Sequence, residues 1–411
     1  MTDNREILIS GASVAGPALA WWLHHHGFRP TVVERAPSLR EGGYKVDIRG
    51  TAVDVVRRMG LLEEVHAVAT DMRGAGFVNK RGKQIAKLDA DTFGFRDGDD
   101  TEILRGDLAK ILYDHTRDDV EYVFGDWITG LDQRADGVHV TFAHGAPRRF
   151  DLVVGADGLH SGVRALAFGP EERFLKRFDA YISISTVPNR FDLDRWELLH
   201  SAAPGKMVNV YSTARADDAK AAFWFTGKDL PYDRRDVDGQ KNLVADQFAG
   251  LGWQIPQLLD SMREAGDFYF DPVCQILMDR VSSGRVTLVG DAGYCPSPAS
   301  GQGTSLALAG AYVLAGELAA AAGDHEVAFE RYEAAMRPYI EKNQALAKAA
   351  LRGIIPQSRA FAWFNTRMIK LMPYLPGRNR ILEQIAAPVR DAANALVLKD
   401  YAVATPPAAA K

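Results

Sequence analysis

Glu6-Ile7-Leu8-Ile9-Ser10-Gly11-Ala12-Ser13-Val14-Ala15-Gly16 decides the fold of this 411-residue chain. The first five residues form an apolar run of strand length. After the glycines, Leu19, Trp22 and Leu23 repeat at helical spacing until Gly27, and Thr31-Val32-Val33-Glu34-Arg35 reads as a second strand. Strand, glycine turn, helix and acid-ended strand make a dinucleotide-binding βαβ unit. Gly11 permits the tight turn, and Gly16 lets the helix lie close to the sheet. The helix N-terminus offers N–H donors and partial positive charge to a pyrophosphate. Glu34, 18 residues after Gly16, is placed to accept from ribose hydroxyls. The middle glycine of the pattern is Ser13, small enough to keep the phosphate approach open.

The bulk numbers bound the rest. A hydrophobic share of 47% in a chain this long supports a large core and two or three subdomains. A formal charge of −4 suggests no nucleic acid or anionic membrane as partner. Cys274 and Cys295 have neither metal-type spacing nor a disulfide framework, and the chain enters a strand without a signal peptide; a cytoplasmic location and no metal are expected. The apolar segment 307–322 carries Gly310, Gly316 and Glu317, which read as breaks that exclude a membrane span.

Further along, Thr51 reads as the cap of a helix over 52–59, and 76–88 as a hairpin. Arg105 stands at the start of a helix. Two more buried strands end in glycine and acid: Val153-Val154-Gly155-Ala156-Asp157-Gly158, and Leu288-Val289-Gly290-Asp291. The loop Cys295-Pro296-Ser297-Pro298-Ala299-Ser300-Gly301-Gln302-Gly303 feeds a helix from Thr304, a second glycine-rich helix N-terminus. Between these, alternating runs read as an inserted antiparallel sheet. The expected organisation is α/β: a Rossmann-like dinucleotide-binding domain (1–175 and 279–335), an inserted mostly antiparallel β-sheet domain (176–278), C-terminal helices (336–401, the last to about Leu398) and a disordered tail (402–411).

The three motifs together resemble the group A flavin-dependent aromatic monooxygenases, the p-hydroxybenzoate hydroxylase fold, near the tetracycline-inactivating branch, where an arginine precedes an aspartate by seven residues as Arg40 precedes Asp47. The resemblance implies FAD as cofactor and NADPH or NADH as reductant. It implies that Gly11, Ser13, Val14, Ala15 and Gly16 hold the FAD pyrophosphate and Glu34 the adenosine ribose. Arg35 and Arg40 would lie beside the adenine or the nicotinamide nucleotide, and Arg105 on the ribityl–phosphate chain. Asp47 would lie towards the flavin ring, Asp157 would serve FAD and NAD(P)H binding, and Asp291 would bind the ribityl chain. Pro298, Gly301, Gln302 and Gly303 would line the ring. Asp157 as a local turn cap and Asp291 as an N-cap are the structural alternatives, and Cys295 reads as a small packed residue.

The implied reaction is reduction of the flavin by NAD(P)H, formation of a C4a-hydroperoxide with O2, and transfer of one oxygen to an aromatic or polyketide-like small molecule. The flavin carries the chemistry, so no catalytic acid–base triad is expected. Met207, Asn209, Tyr211, Phe223 and Phe225 are candidate substrate-lining residues, since period-two spacing puts each set on one face of the inserted sheet; which face meets the substrate is open, and core packing is the alternative for each. Ile182-Ser183 lacks the glutamine sought in a tetracycline binder, so that substrate is not assigned. The rivals are a flavin-dependent halogenase, whose Trp-x-Trp-x-Ile-Pro is only half matched by Leu251-Gly252-Trp253-Gln254-Ile255-Pro256, a non-catalytic flavin- or ligand-binding protein, and a plain NAD-dependent dehydrogenase that leaves Gly290-Asp291 unexplained. A monomer or homodimer is expected. Ile354, Ile355, Phe361, Trp363, Phe364, Met368, Leu371 and Met372 suggest packing on the flavin domain, or a lid or dimer face.

Overall fold

The computed structural model describes residues 4–40, 43–214 and 218–401; the expected tail at 402–411 lies outside the described residues. Strand β1 (Glu6–Ser10), helix α1 (Ala15–His25) and strand β2 (Arg29–Glu34) form the expected unit. β1 is central in a six-stranded sheet, running parallel to β2 on one side and to Leu152–Gly155 on the other. Val286–Leu288 continues the parallel set, and Glu121–Phe124 extends it beyond β2. Ile7, Leu8 and Ile9 have no solvent exposure, which is why β1 reads as a continuous apolar run rather than an alternating one. Three neighbouring parallel strands therefore end side by side, in Gly11, Gly155-Ala156-Asp157 and Gly290-Asp291. The carboxyl ends of parallel strands are where such sheets open a crevice, so the topology alone gathers the three motifs.

The inserted sheet has seven strands in the order Phe268–Ile276, Leu175–Pro188, Asp218–Thr226, Lys206–Tyr211, Trp196–Ala203, Gly74–Val78 and Gln84–Asp89. It is antiparallel except where Trp196–Ala203 meets Gly74–Val78. The early hairpin at 74–89 thus joins this sheet and not the nucleotide-binding one. One face is covered by helices Val237–Phe248 and Ile255–Glu264.

Register assigns the candidate lining residues to opposite faces. Val208 pairs with Phe223, and Met207 with Trp224. Phe223 and Phe225 therefore point to the covering helices, with Phe223 5.0 Å from Phe248, ring to ring, and both rings wholly buried. The expectation that they line a substrate cavity is corrected: they are the core of the sheet–helix layer. Phe223→Ala is expected to cost about 3–5 kcal/mol of stability, read from urea unfolding. A loss below about 1 kcal/mol would contradict this assignment.

Other local readings also shift. Helix Thr51–Arg58 is capped by backbone at Gly50, and the Thr51 hydroxyl instead donates to the Leu396 carbonyl at 2.8 Å. Helix Gly303–Ala320 is continuous: a Cβ on Gly316 would lie 2.1 Å from the Tyr401 ring, so its glycine is there for close packing and not as a break. By length and composition this helix could cross a membrane, but 78% of it is buried inside the protein. The last helix ends at Ala393, and residues 395–401 run as a strap over the nucleotide-binding domain. There Tyr401 (2.8 Å) and Lys399 (2.5 Å) contact the buried Glu317 carboxylate. A buried carboxylate needs that partnership, and it explains why the chain departs from helix here.

Candidate flavin site and substrate cleft

The β1–α1 turn is shaped by backbone contact. Gly11 has φ +109°, and a Cβ on it would lie 2.5 Å from the Ala156 carbonyl oxygen. A Cβ on Gly16 would lie 1.9 Å from the Gly11 oxygen. Ser13 is exposed at the turn, and Val14 opens α1 with no side-chain cap and no acid in the first turn. The helix thus presents unclaimed N–H groups to an anion. Glu34 accepts from Ala12 N (2.9 Å) and Ala36 N (2.8 Å), which fixes its carboxylate beside the turn. Arg35 lies over the Trp127 ring at 4.6 Å, and Arg40 is exposed. Arg105 begins helix Arg105–Asp114 and lies 5.1 Å over the Tyr44 ring.

The second helix N-terminus faces the first set of loops. Pro298–Ser300 is a single tight turn, Gly301 is left-handed at φ +66°, and Gln302 caps helix Gly303–Ala320 through backbone only. The Gln302 side chain is fully buried, yet neither its amide oxygen nor its nitrogen has a partner in the protein. A buried amide left without partners costs on the order of 1–3 kcal/mol. This orphan is what a hydrogen-bonding ring system such as isoalloxazine would satisfy, so the residues present fit FAD. Asp291 lies within 3.5 Å of where a Gly303 Cβ would be, and burial raises its pKa. Gly290, not Asp291, is the cap of its short helix. Asp47 pairs with Arg49 at 2.9 Å and stands 3.7 Å from where a Gly301 Cβ would be, so it faces the same loop.

Asp157 makes local contacts. It accepts from Ser161 Oγ and, at 3.1 Å, from Val163 N, and burial raises its pKa. Three residues on, His160 bridges two carboxylates: Glu171 at 3.1 Å and Asp271, on the inserted sheet, at 2.8 Å. Burial alone would lower the His160 pKa, but the two carboxylates outweigh it and raise it to about 9. A folded-state pKa above the unfolded 6.5 adds stability below pH 6.5 that is lost as pH rises through about 9. Wild-type stability is expected to fall by on the order of 2 kcal/mol across that window. His160→Gln should flatten the profile, and an unchanged slope would contradict the bridge.

The opposite face of the inserted sheet turns towards the flavin loop. Ile182, Trp224, Tyr269, Ala299 and Ile355 share one small apolar cluster, which joins sheet, flavin loop and the end of helix His325–Ile354. Met207, Asn209 and Tyr211 are on this face. A charged network adjoins this face. Lys45 Nζ lies 2.6 Å from Glu197 and 3.3 Å from Glu102, and 4.8 Å above the Tyr211 ring. Asn209 donates to Glu197 at 2.7 Å and accepts from Trp224 Nε1 at 3.1 Å. Burial works against the charged forms, yet Lys45 and Arg96 outweigh it at Glu102 and lower its pKa, while Glu102 and Glu197 raise that of Lys45. Sequence reading missed this network and Trp224. The only local signal was Lys45 sharing a strand face with Asp47.

Cys274 and Cys295 are buried free thiols whose pKa values burial raises, as packed residues require. Among the described residues no cluster of His, Cys, Asp and Glu is arranged to hold a metal.

The sequence family described as FAD binding domain matches residues 4–347. An uncharacterised protein of Mycobacterium tuberculosis is 48% identical over 354 residues, 86% of this chain and 95% of the relative. A flavin-dependent monooxygenase of Legionella longbeachae is 42% identical over 344 residues, 84% of this chain and 88% of its own. The solved structure of tetracycline destructase Tet(55) superposes with a TM-score of 0.84 at 38% identity, covering 98% of this chain and 100% of the other. The chain belongs to the FAD-binding family and is a flavin-dependent monooxygenase of the group A type.

Proposed function

We propose that this enzyme uses NADPH or NADH, FAD and O2 to place one oxygen atom on an aromatic or polyketide-like small molecule. The single observation that carries the reading is the buried, unpartnered Gln302 amide at a glycine-bounded helix N-terminus, beside an apolar cluster that joins the flavin loop to the inserted sheet. The bound flavin would supply activation of O2 at its C4a atom, with one oxygen passing to the substrate and the other leaving as water. In this reading the N-terminal turn of α1 binds the pyrophosphate, and Glu34 the ribose. Arg105 and Asp291 flank the ribityl chain, while Pro298, Gly301 and Gly303 border the ring with Asp47 opposite. Arg35, Arg40 and Asp157 are the candidates for the nicotinamide nucleotide. The helix N-terminus at Gly303 favours negative charge on the adjoining ring edge.

The substrate would lie along Ile182, Trp224, Met207 and Tyr211, with Asn209 as its polar anchor. Likeness to a tetracycline destructase supports a polycyclic ligand, and the apolar Ile182 favours ring packing there. Trp253, in the partial halogenase motif, lies tilted against Phe191 (5.5 Å) and His200 (4.9 Å) and belongs with the covering helices, so that rival gains nothing.

The test begins with the visible spectrum of the purified protein. A flavin band that bleaches with NADPH or NADH without oxygen, followed by ligand-stimulated NAD(P)H oxidation and a product heavier by one oxygen, is the expected result. A protein that cannot be reconstituted with FAD would refute the reading, and ligand binding without turnover would favour the non-catalytic rival.

A further inference from the structure

Helix Arg359–Leu371 turns most of its large apolar side chains outward, keeping only Met368 and Ile369 half-buried. Phe361 is 43% exposed, Trp363 62%, Phe364 54% and Leu371 48%. Its half-buried positions are Ala362, Asn365 and Thr366, with Met368 and Ile369. An amphipathic helix on a globular protein ordinarily shows the reverse. The adjoining turn adds Tyr374 at 83% exposure. Single exposed apolar residues are ordinary, but five within fourteen positions mark an interaction face.

Charge identifies the occupant. Between Glu341 and Glu383 the sequence has no acid and eight cations, in a chain whose net charge is −4. Three of them, Arg359, Arg367 and Lys370, are exposed on the same side of the helix as Trp363 and Phe364, and Arg367 lies 5.2 Å over the Trp363 ring. The near-neutral total conceals this segregation, which is why whole-chain charge suggested no membrane partner. Aromatic and leucine side chains that seek an apolar layer, flanked by arginine and lysine on one helix face, match the boundary of an anionic bilayer: rings enter the headgroup layer and cations meet lipid phosphates. An acidic protein surface would use the cations but leave four large apolar groups to be matched one by one.

We propose that helix Arg359–Leu371 with Tyr374 docks this enzyme on an anionic lipid surface. The inference is independent of which substrate is oxidised.

The test is sedimentation of the FAD-loaded full chain with vesicles of phosphatidylcholine alone and of equimolar phosphatidylcholine and phosphatidylglycerol. Binding to the anionic vesicles should be at least about tenfold stronger and should weaken with salt, since each cation near such a surface is worth about a fivefold change. Trp363→Ala/Phe364→Ala and Arg367→Glu/Lys370→Glu should each reduce binding about tenfold or more, with flavin content and thermal transition unchanged. If the aromatic pair fails to fold, the exposed charge-reversal pair carries the test. Absence of binding to anionic vesicles, or binding that both variants retain, would overturn the proposal. So would a vesicle-free dimer that shields Trp363 from a soluble quencher, which would assign the face to a second copy.

Discussion

Gly16→Val is expected to give a protein with no visible flavin and a markedly lower unfolding temperature. The Cβ alone would stand 1.9 Å from the Gly11 carbonyl oxygen and 3.4 Å from Ile9. The first contact is with backbone, so no rotamer relieves it, and α1 must lift from β1. That movement displaces the turn whose N–H groups would meet the pyrophosphate. It also disturbs Ile9, which has no solvent exposure and so no room to yield. A cost of about 2–4 kcal/mol follows from overpacking and backbone strain together. Gly252→Ala is the control, because nothing lies within 4 Å of its would-be Cβ. Flavin-to-protein absorbance and thermal melts of both variants decide the matter. A yellow, stable Gly16→Val protein would mean that close helix–sheet contact does not hold the cofactor turn.

That contact was readable in the sequence because each requirement is local. The spacing from Gly11 to Gly16, the apolar run before it and the acid at Glu34 all belong to one βαβ unit, and parallel topology then brings Asp157 and Asp291 beside it. What stayed hidden depends on pairings far apart in the chain. Nothing near Gly74–Val78 indicates that it will lie parallel to Trp196–Ala203. Period two separated Met207, Asn209 and Tyr211 from their neighbours, but only the pairing of Val208 with Phe223 shows that the phenylalanines face the covering helices. The first part of the strap, to about Leu398, read as helix because the strap's unusual partner, buried Glu317, is some 80 residues earlier. Gln302 was legible as part of a motif, whereas its lack of partners required the fold.

The buried network around Lys45 gives the second large expected effect. Lys45→Met removes the cation within 2.6 Å of Glu197 and 3.3 Å of Glu102, both almost fully buried. Breaking such a pair leaves uncompensated charge and costs about 3–5 kcal/mol. The pH dependence should reverse sign. In the wild type, the lowered Glu102 pKa contributes stability above its unfolded value of 4.5 that is lost as pH falls through the folded value. Without Lys45, the carboxylates are relieved by protonation, so acidification towards about pH 5 should stabilise the variant, whereas in the wild type this network loses stability only as pH falls below about 4.5. The triple variant Lys45→Met/Glu102→Gln/Glu197→Gln should recover most of the lost stability, since neutral polar groups avoid the buried charge. It should still perturb the candidate substrate face, because Glu197 positions Asn209, and through it Trp224. The separation is testable in one set of proteins: stability restored, flavin content unchanged, and ligand affinity still reduced. If Lys45→Met instead loses less than about 1 kcal/mol and keeps the wild-type pH slope, water reaches these groups and the network is not a buried one.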